Sequence, residues 1–334
     1  MRHLADPSRR DILHAAAGAG VITAMPVLAA GEPPPETRHI RIARFPFDLA
    51  CVAPMWIAED LLRAEGFEAI EYMNRPAGDQ QRGLADGELD FAITDIFSVL
   101  PALDIGMPTM VLGGVHSGCY ELFANPQVRS VRDLKGKTVV VANAGRKAFV
   151  SAMVAHVGLD PRTDVSFLDY PGRQGIQLLE QGKVDAFLGF APEPQEMRAR
   201  KIGVSVVNTA TDRPWSQYFC CVAISNRDFV ASNPVATRRA LRALLKATDI
   251  CAAEPDRVTR TLVERGFLKS DAYAAQALGE IPYKRWREYD SADSLRFYAL
   301  RLHEAGVIKS NPQKLLAQGT NWRFIEQLKR EMKA

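Results

Sequence analysis

Residues 83–95, GLADGELDFAITD, are answered by residues 178–190, LLEQGKVDAFLGF. Both stretches carry a leucine-bearing helical end, a glycine stop and an aspartate that opens an apolar run; Gly87 matches Gly182 and Asp90 matches Asp185. Such a repeat constrains a fold more tightly than composition does, because the unit built by one copy must be built again by the other. Both glycines suit a position just past a helix, where the left-handed conformation is cheap only for glycine. The apolar runs that follow are short and bounded, as buried parallel strands are.

The likeness continues upstream. HIRIAR leads through a loop to the helical APMWIAEDLLRAEG and the strand-like EAIEYMN, while TVVVAN leads to RKAFVSAMVAHVG and VSFLDY. Each half reads β-α-β-α-β, which predicts a mostly parallel sheet with right-handed crossovers and helices on both faces. The expectation is an α/β protein of two lobes, built on residues 38–117 and 121–217, with crossover strands near 113–125 and 218–226. Beyond Asn226 the pattern turns to helices without strands, bounded by Pro234, Gly266 and Gly306. These helices are expected to pack on the first lobe, which then comprises 38–117 plus 227–334. Arg238, Arg239, Arg242 and Lys246 fall mainly on one side of their helix and read as a solvated face.

Ahead of the repeat, SRRDILHAAAGAGVITAMPVLAAG at residues 8–31 resembles a twin-arginine export signal, with Arg9 and Arg10 before an apolar run. Gly18, Gly20 and Pro26 break that run, leaving it short of the roughly 20 residues that span a bilayer. Cleavage is expected after Ala29 or Ala30. No cysteine lies near the cut, so a free protein in a bacterial periplasm is expected, with folding finished before export.

The formal charge of the whole chain is +3, of which residues 1–30 supply +1 through three Arg and two Asp. A mature charge of +2 is too mild to argue for nucleic acid or a membrane surface. The five cysteines, Cys51, Cys119, Cys220, Cys221 and Cys251, are odd in number and show no metal-ligand spacing. No disulfide framework, metal or cofactor is expected, and Cys220 and Cys221 in YFCCVAI read as small core hydrophobes.

Open α/β sheets bind ligands outside the carboxyl ends of their strands, and two facing lobes make a cleft there. The candidate site is therefore a set of loops at 45–54, 74–80 and 94–98 in the first lobe, and at 143–148, 170–175 and 190–195 in the second. The first lobe offers Phe47, Asp48, Cys51, Thr94 and Asp95, with His116 just before the crossover. The second offers Asn143, Gly145, Arg146, Lys147, Tyr170, Phe190 and Glu193, with Trp215 near its end. Asn143 to Lys147 open a helix whose free N–H groups attract an anion, and the two cations add charge. Aromatic residues around the cleft, Phe45 and Tyr218 among them, suit stacking on an apolar part of a solute. Asp48, Asp95 and Glu193 suit an amine or hydroxyl.

HIRIAR, LADGELDFAI, VRSVRDLKGKTVVVAN and LLEQGKVDAFLGFAPEPQEMRARKIG together resemble the nitrate, sulfonate and taurine group of ABC-importer substrate-binding proteins, which also takes in binders of thiamine-pyrimidine precursors. The resemblance covers essentially the whole mature chain. It implies a type II periplasmic-binding-protein fold that closes on a small anionic or aromatic-containing solute. It also implies a monomer that delivers the solute to a membrane permease and its ATPase, without chemistry on it. The chain departs from the sulfonate binders in offering Gly145, Arg146 and Lys147 where they have small hydroxyl residues. The cysteine-rich iron motif of related pyrimidine-synthesising enzymes is not found.

Two rival classes are also compatible with these residues. An enzyme would draw His116, Cys119 and Asp95 as base, nucleophile and orienter, although no histidine has a metal spacing and no G-x-G-x-x-G or P-loop is present. A ligand sensor for a membrane receptor would use the same fold as an importer component.

Overall fold

The computed structural model describes residues 32–45, 49–75, 79–170, 173–269 and 272–332. The described residues from Pro34 onward belong to one compact unit, and the expected export signal lies outside the described residues. Among the described residues no helix is long and apolar enough to cross a membrane.

In the first half β1 (His39–Arg44), α1 (Ala53–Ile57) and α2 (Glu59–Ala64) are followed by β2 (Ala69–Asn74), α3 (Gln80–Ala85) and β3 (Phe91–Asp95). α4 (Ile96–Asp104) and β4 (Thr109–His116) complete it. The chain then crosses to β5 (Tyr120–Ala124), β6 (Lys137–Val141), α5 (Ala144–His156), β7 (Val165–Asp169) and α6 (Gln174–Glu180), and ends this half with β8 (Ala186–Phe190), α7 (Glu193–Arg200) and β9 (Val204–Asn208). It returns through β10 (Cys221–Asn226).

The two sheets have the same plan. Their strand orders are β2-β1-β3-β10-β4 and β7-β6-β8-β5-β9. In each, three parallel strands come from one copy of the repeat, and the fourth position is an antiparallel strand on a crossover: β10 in the first sheet, β5 in the second. The repeated aspartates explain the registration. Asp90 Oδ2 accepts the Arg41 N–H at 2.8 Å while its own N–H donates to the Arg41 carbonyl at 2.9 Å. Asp185 does the same with Thr138, at 2.9 Å in both directions. Each aspartate thus fastens the third strand of its unit to the first. Gly87 and Gly182 sit at φ +69° and +66°, the left-handed turn that lets the chain leave the helix and enter the strand.

Burial differs between the inner strands and the outer strands at one edge of each sheet. The inner strands β3, β5 and β8 are buried almost throughout, whereas the edge strands β2 and β7 are half exposed.

The C-terminal helices are α8 (Arg227–Ser232), α9 (Pro234–Ala253), α10 (Pro255–Glu264), α11 (Ala272–Glu280), α12 (Ser291–Glu304), α13 (Pro312–Gly319) and α14 (Arg323–Glu331). α9 packs on α1 and α2, and α14 on β4, all in the first half. α12 also packs on α5, and α11 on α7, so these helices reach both sheets. Ring contacts account for the first of these: on α12 Tyr298 meets Phe149 and Phe297 meets His156, both on α5.

The basic stripe on α9 is corrected by the structure: it is not a solvated face. Arg242 and Lys246 bind the Glu65 carboxylate, and Arg239 Nη1 donates to the Glu65 carbonyl at 2.6 Å. Glu65 follows α2 and is 6 % exposed, so the cations satisfy a carboxylate and a helix-end carbonyl that packing has taken out of water.

Candidate functional site: the loops between the two sheets

The carboxyl ends of the parallel strands of both sheets feed helices, and the first turns of two of these helices meet. Asp95 ends β3 and caps α4: its Oδ1 accepts the Ser98 N–H at 2.8 Å and its Oδ2 the Ser98 hydroxyl at 2.9 Å. Asn143 follows β6 and caps α5, its Oδ1 accepting the Arg146 N–H at 2.9 Å. Aspartate and asparagine are favoured at this position because their side chains satisfy helix N–H groups that have no intrahelical partner. Gly145 in the first turn of α5 lies directly against the first turn of α4. A Cβ there would overlap Ser98 Oγ and stand 3.1 Å from Asp95 Oδ1. Only glycine lets the two helix starts approach so closely.

Behind that contact the halves share an aromatic cluster. Phe97 of α4 and Phe149 of α5 stack at 3.8 Å between centroids, and Tyr120 and Tyr298 meet both rings edge-on. Trp215 is 4 % exposed and packs on Phe149, His156, Phe297 and Tyr298. It lies within this core.

Arg146 and Glu193 of the second half are already paired with each other. Arg146 Nη1 lies 2.8 Å from Glu193 Oε2 and donates to the Leu188 carbonyl at 3.1 Å. The same Glu193 oxygen accepts the Phe190 N–H at 2.9 Å, and the guanidinium lies 5.5 Å from the centre of the Phe190 ring. Lys147 is exposed and lies over Phe167, 5.4 Å from the ring centre. Tyr170, just after β7, is 39 % exposed. On the first half Thr94 is buried and its hydroxyl accepts from Gln81 Nε2 at 3.4 Å. Phe47 and Asp48 lie outside the described residues.

Burial raises the Asp95 carboxyl above its ordinary pKa, and the Ser98 hydrogen bonds and Arg146 only partly offset it. Burial, with Asp95 nearby, likewise pushes the Tyr120 phenol well up.

Asp95 is engaged by Ser98, and His116 Nδ1 lies 3.1 Å from the Ser117 carbonyl and 3.5 Å from Cys220 Sγ. What surrounds His116 instead is sulfur. Cys51, His116, Cys119 and Cys221 are buried, and one ligand atom from each lies within 4.8 Å of the others. Sequence spacing did not show this grouping, because it examines neighbours in sequence and these residues come from three separate segments. Cys220 adjoins them, its Sγ 3.1 Å from Cys119 Sγ. Burial works against the Cys51 thiolate, but hydrogen bonds from Cys119 and Cys221 outweigh it and bring the thiol to about 7. Burial leaves Cys220 up at about 11.

Sequence reasoning also missed Gln81, Tyr120, Phe149 and Tyr298. Ser98 fell within the loop 94–98 without being singled out, and the local signal beside it is Asp95, a favoured residue at a helix start.

A model of the NMT1/THI5-like family matches residues 62–258, more than half of the chain. The chain belongs to the NMT1/THI5-like family. No curated protein matches it in sequence. Among solved structures, this family member superposes on the periplasmic nitrate-binding protein NrtA of Synechocystis PCC 6803 with a TM-score of 0.73 at 15 % identity, covering 90 % of each chain. The alkanesulfonate-binding protein SsuA of Xanthomonas axonopodis pv. citri, bound to MOPS, gives 0.64 at 20 % identity over 88 % of this chain and 100 % of that one. The aliphatic sulphonate-binding SsuA of Escherichia coli gives 0.67 at 17 % over 84 % and 91 %. At these identities the likeness establishes the periplasmic-binding-protein fold of the NMT1/THI5-like chain.

Proposed function

We propose that the chain is an exported solute-binding protein that holds a small anionic or aromatic-containing molecule between its two halves and delivers it to an ABC permease. The closing bodies in this reading are residues 38–117 with 227–334 on one side and 121–217 on the other. The observation that supports it is the apposition of Gly145 on Ser98 and Asp95, where one candidate loop from each sheet meets the other. A solute held there is removed from water, which strengthens its polar contacts.

The Arg146–Glu193 pair shapes the selection. An anionic group that reaches Arg146 must displace a carboxylate, while Lys147 and Tyr170 remain exposed to receive it. No chemistry on the solute follows from this arrangement. Export rests on the signal read at residues 8–31, and delivery on the likeness to periplasmic nitrate- and sulfonate-binding proteins.

Thermal unfolding of the chain from Gly31 onward, against anions, sulfonates, aromatic acids, amino acids, pyrimidines and flavins, tests the reading. A solute at about 100 times its Kd adds about 2.7 kcal/mol, which raises the midpoint by a few degrees. The expected result is a selective rise with the solute recovered unchanged. Conversion of the solute to product overturns the reading in favour of an enzyme.

A further inference from the structure

The sulfur-rich cluster lies where the two crossovers meet the loop after β1. Cys51 comes from the turn Ala50–Val52, His116 ends β4, Cys119 precedes β5, and Cys221 opens β10 between His116 on one side and Asp95 on the other. We propose that Cys51, His116, Cys119 and Cys221 form a tetrahedral site for a thiophilic divalent metal ion, zinc first among them.

Three observations support it. The four residues are 0, 0, 5 and 1 % exposed, so the donors are held out of water on separate elements. Their ligand atoms lie within 4.8 Å of one another, with Cys119 Sγ and Cys221 Sγ 3.9 Å apart. A tetrahedral zinc with bonds of about 2.3 Å to sulfur and about 2.0 Å to nitrogen sets its ligands roughly 3.5–3.8 Å apart, so a modest contraction is enough. Independently, His116 Nε2 is buried without a hydrogen-bond partner, while Nδ1 lies 3.1 Å from the Ser117 carbonyl. A ring that donates Nδ1–H to a carbonyl keeps its Nε2 lone pair, the tautomer that ligating histidines use.

Three thiolates and an imidazole fill a tetrahedral zinc, leaving no position for a substrate, so the ion is structural. Each thiol that becomes a ligand releases its proton to solvent, with no oxidant or reductant involved. Such an ion would tie both crossovers to the turn that carries Cys51. Metal taken up during folding also gives the export signal read at residues 8–31 a purpose, since that route carries chains already folded.

The test is titration of the reduced, chelator-stripped full chain with Co²⁺ and then Zn²⁺. The expected result is one Co²⁺ per chain with the visible bands of a tetrahedral site and a thiolate-to-cobalt charge-transfer band, both lost on adding one equivalent of Zn²⁺. Cys51→Ser and Cys221→Ser should each weaken metal binding at least tenfold, and Cys251→Ser should leave it unchanged. Absence of the charge-transfer band in the parent chain overturns the proposal whatever the variants do. So does a Cys119–Cys220 disulfide in protein isolated without reductant, seen as the loss of two hydrogens in intact mass. None of these readouts involves the solute, so failure here leaves the solute-binding proposal untouched.

Discussion

Arg146 and Glu193 stand 47 residues apart in sequence and 2.8 Å apart in space, linked at the head of the second sheet. Their side chains are 10 % and 14 % exposed, so neither charge is left to water. Arg146→Ala strands a buried carboxylate and should cost about 3–5 kcal/mol. The double variant Arg146→Ala/Glu193→Ala should cost well below the sum of the two single changes, as urea unfolding of the four proteins will measure. Additive losses contradict the pairing.

Gly145→Ala places a methyl group against a serine hydroxyl that Asp95 holds in place. The first turns of α4 and α5 must then part, and solute affinity should fall about tenfold or more, equivalent to about 1.4 kcal/mol. Ser98→Ala in the same chain removes the obstructing oxygen and should restore part of the loss. Calorimetric titration of the three proteins decides it, and a Gly145→Ala chain that binds like the parent refutes the close approach.

Phe149 is fully buried and touches rings from both halves. Phe149→Ala should destabilise by about 3–5 kcal/mol. Because the rings belong to both halves, denaturation should remain a single transition in the parent and separate into two in the variant. A variant that loses stability but keeps one transition shows that this cluster does not couple the halves.

Glu65 gives a pH dependence. Burial raises its carboxyl, and the hydrogen bonds and charges of Arg242 and Lys246 outweigh that, so its pKa lies below the ordinary value. A depressed native pKa contributes stability that is present above the unfolded value of about 4.3 and is lost as pH falls through the native value. Glu65→Gln should therefore cost about 1–3 kcal/mol at pH 7, and its difference from the parent should close below about pH 4. A difference that stays constant with pH shows that packing alone explains the loss.

The repeat made the fold legible. Gly87, Asp90, Gly182 and Asp185 could be read as turn and strand starts because the interactions they make are local in each unit, down to the reciprocal bonds with Arg41 and Thr138. Asn143 and Asp95 could be placed as loop residues by the same logic. What the sequence concealed were pairings across the fold. Nothing near Arg146 announces that Glu193 will neutralise it, and nothing near Arg242 announces Glu65. The cysteines show this most plainly: Cys119 and Cys220 are 101 residues apart and meet only because both crossovers pass one point. Spacing rules find ligands on a single hairpin or helix, and this cluster is assembled by topology.

The most direct test of solute binding between the halves is calorimetric titration of the solute found by thermal unfolding into three proteins: the parent, Thr94→Val on the first half and Tyr170→Ala on the second. The account predicts one site per chain in the parent and at least tenfold weaker binding in each variant, with both variants folded. If either variant binds as tightly as the parent, the solute is not shared between the halves at these loops, and the central claim fails.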